Sequence, residues 1–328
     1  MNYIKMSPLT GMVGYGGGGT GLGFAGGGPI AWYGDKGTFS GGNGGSDHLN
    51  IIDKINITST GDASDFGDLD IIRADSGGAS SNTYALVASG NGDGGKKISV
   101  SYFAHATDGN ASDHGDLTMA RSALGGVSDG VTAVFCAGGD ASSESTRIDY
   151  RAIDTPGGSS TDFGDMSVAR WGAAAMGDGT RGVWFGGRAP SGSGPEPTID
   201  YITIASPGNA TDFGDPAEDI YQAGGTASDV RGIAMGGEGS GGSKNNIQRI
   251  TIQTAANASD FGDLSFERIA PAATSNGTRG VSAGGRHHST YYKAMDYVTI
   301  DNTSNSSDFG DLAAAHTSAG IVGNSGAG

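Results

Sequence analysis

Short apolar segments alternate with polar, glycine-rich segments along most of the chain. In IDYITI (199–204), apolar and polar residues alternate and β-branched residues prevail, which is typical of a β-strand with one buried face. VWFGG (183–187) reads as an apolar strand that ends in two glycines, and GAAAM (172–176) as a strand of small residues. The pattern therefore predicts β-structure throughout.

One acidic octet, typified by NATDFGDP (209–216), recurs along the chain. Its six copies begin at residues 62, 110, 159, 209, 257 and 305, so that successive copies are 48, 49, 50, 48 and 48 residues apart. The glycine-pair strand and the IDYITI-type strand recur with the same period. Six such copies, with a period near ~50 residues and only short strands, are typical of a β-propeller.

Four short strands per repeat predict one antiparallel propeller blade. In one repeat they are Met166–Arg170, 172–176, 183–187 and 199–204. The small-residue strand fits the innermost position, because neighbouring blades crowd the central channel. The Asn, Ser/Thr, Asp and Gly of the octet favour a turn between two of these strands.

The two ends of the chain carry complementary parts of one repeat. Residues 34–42 supply a glycine-pair strand without an inner strand, and residues 313–328 supply an inner strand without a glycine-pair strand. Pairing them completes one blade and leaves no open sheet edge. We therefore predict an all-β, six-bladed β-propeller over residues 34–328, closed by pairing of the N- and C-terminal strands, with a Gly-rich N-terminal arm at residues 1–33.

Composition narrows the classes of partner. The chain has 63 glycines in 328 residues and a formal charge of −16, from 19 basic and 35 acidic residues. Such a chain repels phosphates, so neither nucleic acid nor an anionic membrane surface is the expected partner. Cys136 is the only cysteine, which excludes an internal disulfide framework and a thiolate metal cluster.

The order of these segments resembles the kelch repeat. That family has a strand ending in Gly-Gly, a Tyr-bearing strand, an aromatic residue where Phe163 stands, an arginine where Arg170 stands and a small-residue inner strand. The octet, together with GTRGVxxGG, is also similar to glycine-rich repeats in virion structural proteins of tailed phages, marine and cyanobacterial ones in particular. The resemblance implies a kelch-like propeller and a part of a virion, such as a tail, a fibre or the capsid surface.

The octet could be a metal loop, a catalytic acid or a structural staple. Asp65, Asp68 and Asp70 alternate as in some calcium loops, but only the first copy has this third acid. The octet also resembles the Asp-box of sialidases, except that Ser/Thr directly precedes Asp and no arginine-triad pattern accompanies it. We predict a staple without bound ions, whose aspartate caps a turn and whose aromatic residue is buried. The turn aspartates are Asp65, Asp113, Asp162, Asp212, Asp260 and Asp308. The aromatic residues are Phe66, Phe163, Phe213, Phe261 and Phe309, with His114 in the second copy.

Two sets of basic residues follow the repeat. One set stands five residues before each glycine pair and could pair with the octet aspartates; it comprises Lys36, Arg181, Arg231 and Arg279. The other set is expected to brace neighbouring blades; it comprises Arg73, Arg121, Arg170 and Arg268, with His316 at this place in the last copy. The fourth copy lacks the arginine.

The sequence offers no catalytic constellation. The adjacent His287 and His288 lack metal-ligand spacing, and Cys136 on an apolar strand suits a core better than the Tyr/His/Cys copper site of kelch-related oxidases. We therefore expect no enzyme activity, no cofactor and no metal.

The loops after the glycine pairs differ in sequence and length, and propellers bind through such loops. The candidate binding residues, suited to sugar or protein surfaces, are Arg188, Arg286, His287, His288, Tyr291 and Tyr292.

Residues 1–33 combine glycines with apolar residues and are expected to anchor the propeller to another virion subunit or to a second copy. The anchoring residues are Tyr15, Leu22, Phe24, Trp32 and Tyr33. The expected function is a non-enzymatic virion structural protein, made in the host cytoplasm and present in several copies. The alternative is an adhesin module that binds a carbohydrate or a host receptor.

Overall fold

The computed structural model of the protein describes residues 34–44, 47–139, 144–189 and 194–313, and the backbone of the strand Val322–Gly326. This part of the chain consists of β-strands, turns and loops and contains no helix. The predicted arm, with Tyr15, Leu22, Phe24, Trp32 and Tyr33, lies outside the described residues, and so does His316.

The strands form six four-stranded antiparallel sheets, which are the blades of the propeller. Blade 1 contains β1 (Lys36–Ser40), β2 (Ile51–Asn56), β3 (Ser64–Asp68) and β30 (Val322–Gly326). Blade 2 contains β4 (Gly77–Ser80), β5 (Tyr84–Ala88), β8 (Ser99–Ala104) and β9 (Ser112–Asp116). Blade 3 contains β10 (Gly125–Ser128), β11 (Thr132–Cys136), β12 (Arg147–Ala152) and β13 (Thr161–Asp165).

The remaining blades repeat this order. Blade 4 contains β14 (Ala174–Gly177), β15 (Arg181–Phe185), β16 (Ile199–Thr203) and β17 (Thr211–Gly214). Blade 5 contains β18 (Gly224–Ala227), β19 (Arg231–Met235), β22 (Asn246–Thr251) and β23 (Ser259–Asp263). Blade 6 contains β24 (Ala272–Ser275), β25 (Arg279–Ala283), β28 (Ala294–Thr299) and β29 (Ser307–Asp311).

Within the described residues, three blades also carry a small two-stranded hairpin between their second and third strands. These hairpins are β6 (Asn91–Gly92) with β7 (Gly95–Lys96), β20 (Glu238–Gly239) with β21 (Gly242–Ser243), and β26 (Arg286–His287) with β27 (Thr290–Tyr291).

The innermost strand of every blade contacts the innermost strands of both neighbouring blades, so the six strands form a closed ring around the central channel. Neighbouring backbones come very close there. A Cβ atom at Gly126 would lie 2.3 Å from the carbonyl oxygen of Gly78, and one at Gly225 would lie 2.3 Å from that of Ala175. This crowding confirms the prediction that the small-residue strand is innermost.

Blade 1 is assembled from both ends of the chain. The N-terminal strand β1 pairs with β2 on one side and with the C-terminal strand β30 on the other, in a register that runs from Lys36↔Gly326 to Ser40↔Val322. The predicted closure is therefore confirmed, and the ring has six blades.

The octet is the outermost strand of each blade, and the prediction of a turn is wrong. In blade 4 it forms β17, which pairs with β16 through a bulge: Asp200 faces Asp212 and Ile199 faces Gly214, so Phe213 is the extra residue. The aspartates predicted to lie in turns are exposed on these outermost strands; they are Asp65, Asp113, Asp162, Asp212, Asp260 and Asp308. Acidic residues on an exposed edge strand discourage pairing with another sheet.

The predicted burial of the octet aromatic residues is confirmed. The exposed fractions are 2% for Phe66, 4% for Phe163, 2% for Phe213, 1% for Phe261, 2% for Phe309 and 0% for His114. His114 fills the aromatic position as expected, and its ring nitrogen Nε2 lies 2.7 Å from the carbonyl oxygen of Ile153. Burial lowers the pKa of this imidazole, which favours its neutral form.

Successive octets are bonded to one another around the rim. The N–H of the second octet residue donates to the carbonyl of the last aspartate in the preceding octet, as from Ala210 to Asp165 and, across the closure, from Ala63 to Asp311. In addition, the side chain of Asn209 accepts a hydrogen bond of 3.1 Å from the N–H of Asp165. The octet is thus a staple, but one that joins neighbouring blades rather than one that shapes a turn.

The segment Met166–Arg170, predicted as a strand, is an irregular connection from the rim of blade 3 to the axis of blade 4. Its last side chain turns inward. Arg170 is fully buried and lies 3.0 Å from Asp200, while its carbonyl accepts a hydrogen bond from Gly138 of the preceding blade. The same arrangement recurs between Arg121 and Asp149 at 2.8 Å, and between Arg268 and Asp296 at 2.7 Å. The arginine side chains therefore fasten each connection to the blade that it enters, while the main chain of the connection bonds to the preceding blade. The predicted brace between blades is thus made by the whole segment and not by the guanidinium.

The other basic set does not pair with the octet aspartates, and that prediction is wrong for the described residues. Its members donate instead to main-chain carbonyls of the next blade: Lys36 to His105 at 2.7 Å, Arg181 to Ile252 at 3.1 Å, Arg231 to Ile300 at 2.8 Å and Arg279 to Ile57 at 3.0 Å. These carbonyls end the third strand of each blade and lie within reach of the neighbouring cation. This set therefore joins neighbouring blades through its side chains.

Candidate binding face

One side of the ring carries the loops that follow the glycine pairs, and we call it the loop face. Its described segments are 43–44, 47–50, 91–97, 144–146, 188–189, 194–198, 238–245 and 286–293. The connections from each blade rim to the next blade axis run over the same side. The side chains on this face are therefore drawn from the most variable parts of the repeat.

A recurring β-bridge makes the blades directly comparable on the loop face. In each of five blades, a residue of the incoming connection pairs with the residue that follows the glycine-pair turn. The pairs are Ala74–Asn91, Ser122–Gly139, Trp171–Arg188, Tyr221–Glu238 and Ile269–Arg286, in blades 2 to 6. Blades 2 and 3 thus place small or short residues at this position, whereas blades 4, 5 and 6 place large ones.

Trp171, Arg188 and Tyr221 form one cluster across blades 4 and 5. The guanidinium carbon of Arg188 lies 5.8 Å from the centroid of the Trp171 ring and 5.1 Å from that of Tyr221. The two rings meet edge to face, with their centroids 5.3 Å apart. Nη1 of Arg188 donates to the Tyr221 hydroxyl at 3.2 Å. Stacking on two rings and one hydrogen bond hold the guanidinium in place.

Tyr221 is the buried base of this cluster, with 5% of its surface exposed. Burial, and then its hydrogen bond with Glu238, raises the pKa of Tyr221 to about 12, so its hydroxyl keeps its proton near neutral pH. Trp171 and Arg188 are half-buried and reach the surface. The cluster therefore presents one cation and one aromatic ring to solvent.

The predicted candidates of the last variable loop lie together on the hairpin of β26 and β27 in blade 6. The imidazole of His287 lies 4.2 Å from that of His288 and 3.5 Å from a carboxylate oxygen of Glu267. Nη1 of Arg286 donates to the carbonyl of His288 at 3.4 Å. Tyr291 is half-buried at the end of this hairpin.

A second aromatic pair adjoins the hairpin. The ring of Tyr292 packs at a tilt against that of Phe266, with centroids 4.5 Å apart, and Phe266 in turn covers the guanidinium of Arg268 at 4.1 Å. Arg188 belongs to the separate cluster on blades 4 and 5. Sequence reasoning missed Trp171, Tyr221 and Phe266; the first two could have been found by aligning the six connections and noting where a large residue replaces a small one.

The central channel offers little room for a ligand. Two cavities along it measure about 110 and 80 Å³ and are lined mainly by glycine and alanine. Pockets that bind small molecules generally span ~300–1,000 Å³. The loop face is therefore a better candidate for binding than the channel.

The described residues contain no group of three or more His, Cys, Asp or Glu side chains placed to hold a metal ion. Cys136 is fully buried in the core, and burial raises the pKa of its thiol. The described part of the chain also has no helix long and apolar enough to span a membrane.

These features define a class of protein, the six-bladed β-propeller, with an asymmetric loop face. No family model matches the chain, and no curated protein matches it either.

Proposed function

We propose that the protein is a non-enzymatic structural and attachment module, whose propeller is a rigid scaffold for a binding surface on the loop face. The observation that carries this proposal is the unequal loop face. Among the five blades whose bridge the structure describes, only blades 4 to 6 bear large residues at this position, although all five share the same strands. The bridge does not need these large residues to form, because blades 2 and 3 form the same bridge with short residues.

The kelch-like order of segments and the similarity of the octet to repeats of tailed-phage structural proteins support a place in a virion. A tail fibre or the capsid surface would present the loop face outward. Residues 1–33 would then join the propeller to another virion subunit or to a second copy. A cavity of about 630 Å³ lies where this arm enters the propeller, lined by Gly34, Asp35, Lys36, Lys54 and neighbouring residues.

Deletion of residues 1–33 tests this assignment. The truncated protein is expected to fold, because β1 begins at Lys36, and to fail to enter virions assembled in its presence. The full-length Arg188→Ala variant is the matched control, since it alters the loop face and leaves the arm intact. Normal incorporation of the truncated protein would contradict the anchoring role.

The alternative function is that of an adhesin module that binds a carbohydrate or a host receptor. The cluster of Trp171, Arg188 and Tyr221 favours it, because a solvent-facing ring beside a fixed guanidinium suits recognition of a polar ligand. Binding of the purified protein to host cells and to a glycan array tests this function. Failure to bind either would count against it.

A further inference from the structure

At the bridge between Trp171 and Arg188, blade 4 departs from blades 2 and 3 in a way that the architecture of the propeller does not explain. The equivalent pairs Ala74–Asn91 and Ser122–Gly139 form the same backbone bridge. In blade 4, both partners are large, and Arg188 stacks across the blade boundary on Tyr221. Large residues at both positions of the blade 4 bridge, together with Tyr221 of blade 5, thus form a single cluster.

Arg188 differs in its partners from the arginines of the connections between blades. Arg121, Arg170 and Arg268 each face a buried aspartate. No carboxylate of the described residues lies within ion-pair distance of Arg188, although the chain carries 35 acidic residues. Its one hydrogen bond to a described side chain goes to the neutral hydroxyl of Tyr221. With respect to the described residues, its remaining N–H groups are open to an external anion, and the carboxylate of Glu238 is engaged by the neighbouring Tyr221 hydroxyl.

The geometry of the cluster restricts the kind of anion. A guanidinium has five N–H donors in a planar fork, which matches the two oxygens of a carboxylate. The ring of Trp171 lies 5.8 Å from the guanidinium carbon and reaches the surface. The exposed part of that ring can pack against the apolar face of a sugar whose carboxylate binds to Arg188. The Tyr221 hydroxyl accepts a hydrogen bond from the guanidinium of Arg188 and so fixes its orientation.

We infer that Trp171, Arg188 and Tyr221 form a subsite for a carboxylate-bearing sugar, namely a single uronic acid unit of an oligosaccharide, since the net charge of −16 disfavours an extended polyanion. Arg188 binds the carboxylate, Trp171 packs against the sugar ring, and Tyr221 positions Arg188. The inference rests on the proposed attachment function and specifies its ligand. It favours a sugar over an acidic peptide, because an extended peptide would not require the flat ring beside the cation.

The test uses the full-length protein and oligosaccharides of galacturonate, glucuronate and guluronate, each paired with its methyl ester. The methyl ester keeps the sugar ring and removes the charge. Titration calorimetry is expected to show binding of at least one uronate, and the loss of about tenfold or more in affinity for its ester. Arg188→Ala and Trp171→Ala should each weaken uronate binding to a similar degree, and Arg188→Lys should recover only part of it.

Arg249→Ala is the matched control. Arg249 is also a half-buried arginine on blade 5, but it bonds to Ser259 and Thr303 on the outer part of the blades. Its removal should leave the affinity for uronates unchanged. Melting curves of all variants separate a lost contact from a lost fold.

Three results would overturn the inference. They are equal affinity for uronate and ester, unchanged binding by Arg188→Ala, and binding of polyglutamate with the same dependence on Arg188. The last would assign the cluster to an acidic peptide. If the protein binds host cells or neutral glycans but no uronate, the attachment function stands and this ligand is wrong. If uronates bind but the arm-deleted protein still enters virions, the subsite stands and the anchoring role is wrong.

Discussion

Arg170 lies 3.0 Å from Asp200, and both side chains are closed off from solvent. Ser167 donates to the same carboxylate through its hydroxyl. In blade 5 the two positions hold Ile220 and Gln248, which are also buried, and the amide of Gln248 bonds to the backbone of the incoming connection instead. Blade 5 has therefore exchanged both members of the charged pair, whereas blade 2 keeps Arg73 opposite Ser101 and has Asp70 within 3.6 Å of the guanidinium.

This exchange predicts strong coupling between the two positions. Arg170→Ile alone leaves a buried carboxylate without its cation and should lower the free energy of unfolding by about 3–5 kcal/mol. The double variant Arg170→Ile/Asp200→Gln copies blade 5 and should recover most of that loss. Urea denaturation of the wild type, both single variants and the double variant gives the coupling energy. Additive losses would show that the pair is not a unit.

The octet glycine should resist substitution. Gly164 has a φ of +148°, and a Cβ atom there would lie 2.4 Å from the carbonyl oxygen of Gly208 in the next blade. Gly164→Ala should therefore lower the melting temperature clearly. Gly208→Ala is the control, since a Cβ atom at that position meets no atom within 4 Å. Equal melting temperatures for the two variants would refute the proposed role of this glycine in the rim contacts.

His105 should make the fold sensitive to mild acid. It is fully buried where the other described blades have isoleucine, as at Ile57 and Ile153, and burial lowers its pKa to about 4. The unfolded chain binds the proton near its ordinary pKa of about 6.5, so stability falls as the pH drops from 6.5 towards 4. His105→Ile removes this contribution, which amounts to about 2 kcal/mol at pH 5.

Unfolding free energies of the wild type and His105→Ile, measured between pH 5 and pH 7.5, check this prediction. The gap between the two proteins should widen as the pH falls. His114 has a lowered pKa as well, but it is present in both proteins and cancels from the comparison. Parallel curves would mean that His105 does not carry the acid sensitivity.

Closure of the ring should matter more for stability than the arm does. Deletion of residues 316–328 removes β30, exposes the edge of β1 and separates the innermost strands of blades 2 and 6. The melting temperature should drop sharply. Deletion of residues 1–33 is the control and should change it little, because β1 remains. A similar melting temperature for both truncations would contradict the closure argument.

Most of the fold can be predicted from the spacing of the repeat. Copies of one octet at a nearly constant interval predict the number of blades, and the incomplete units at 34–42 and 313–328 predict where the ring closes. The burial of residues such as Phe163 follows from a single aromatic residue in an otherwise polar octet. These properties depend on hydrophobic burial and on chain connectivity, both of which are local or periodic in the sequence.

The errors have a common physical origin. The octet resembles a turn because Phe213 is its only large apolar residue, and a bulge conceals the alternation of a strand. Conversely, Met166–Arg170 resembles a strand, yet Arg170 is buried by an ion pair with Asp200, which lies 30 residues away in the sequence. An ion pair between residues that are distant in the sequence produces no periodic pattern from which it could be predicted. The cluster at Trp171 was missed for a different reason, because it departs from the repeat and only an alignment of the connections between blades reveals it.

The position of β1 in blade 1 has a mechanical consequence. β1 is bonded along both of its edges, to β2 and to β30, and residues 1–33 continue directly from its start. A tensile load applied to the arm along the strand axis must therefore break both ladders at once in shear, rather than peel one edge open step by step. An anchored propeller would thus transmit force from its attachment point into the ring before any blade separates.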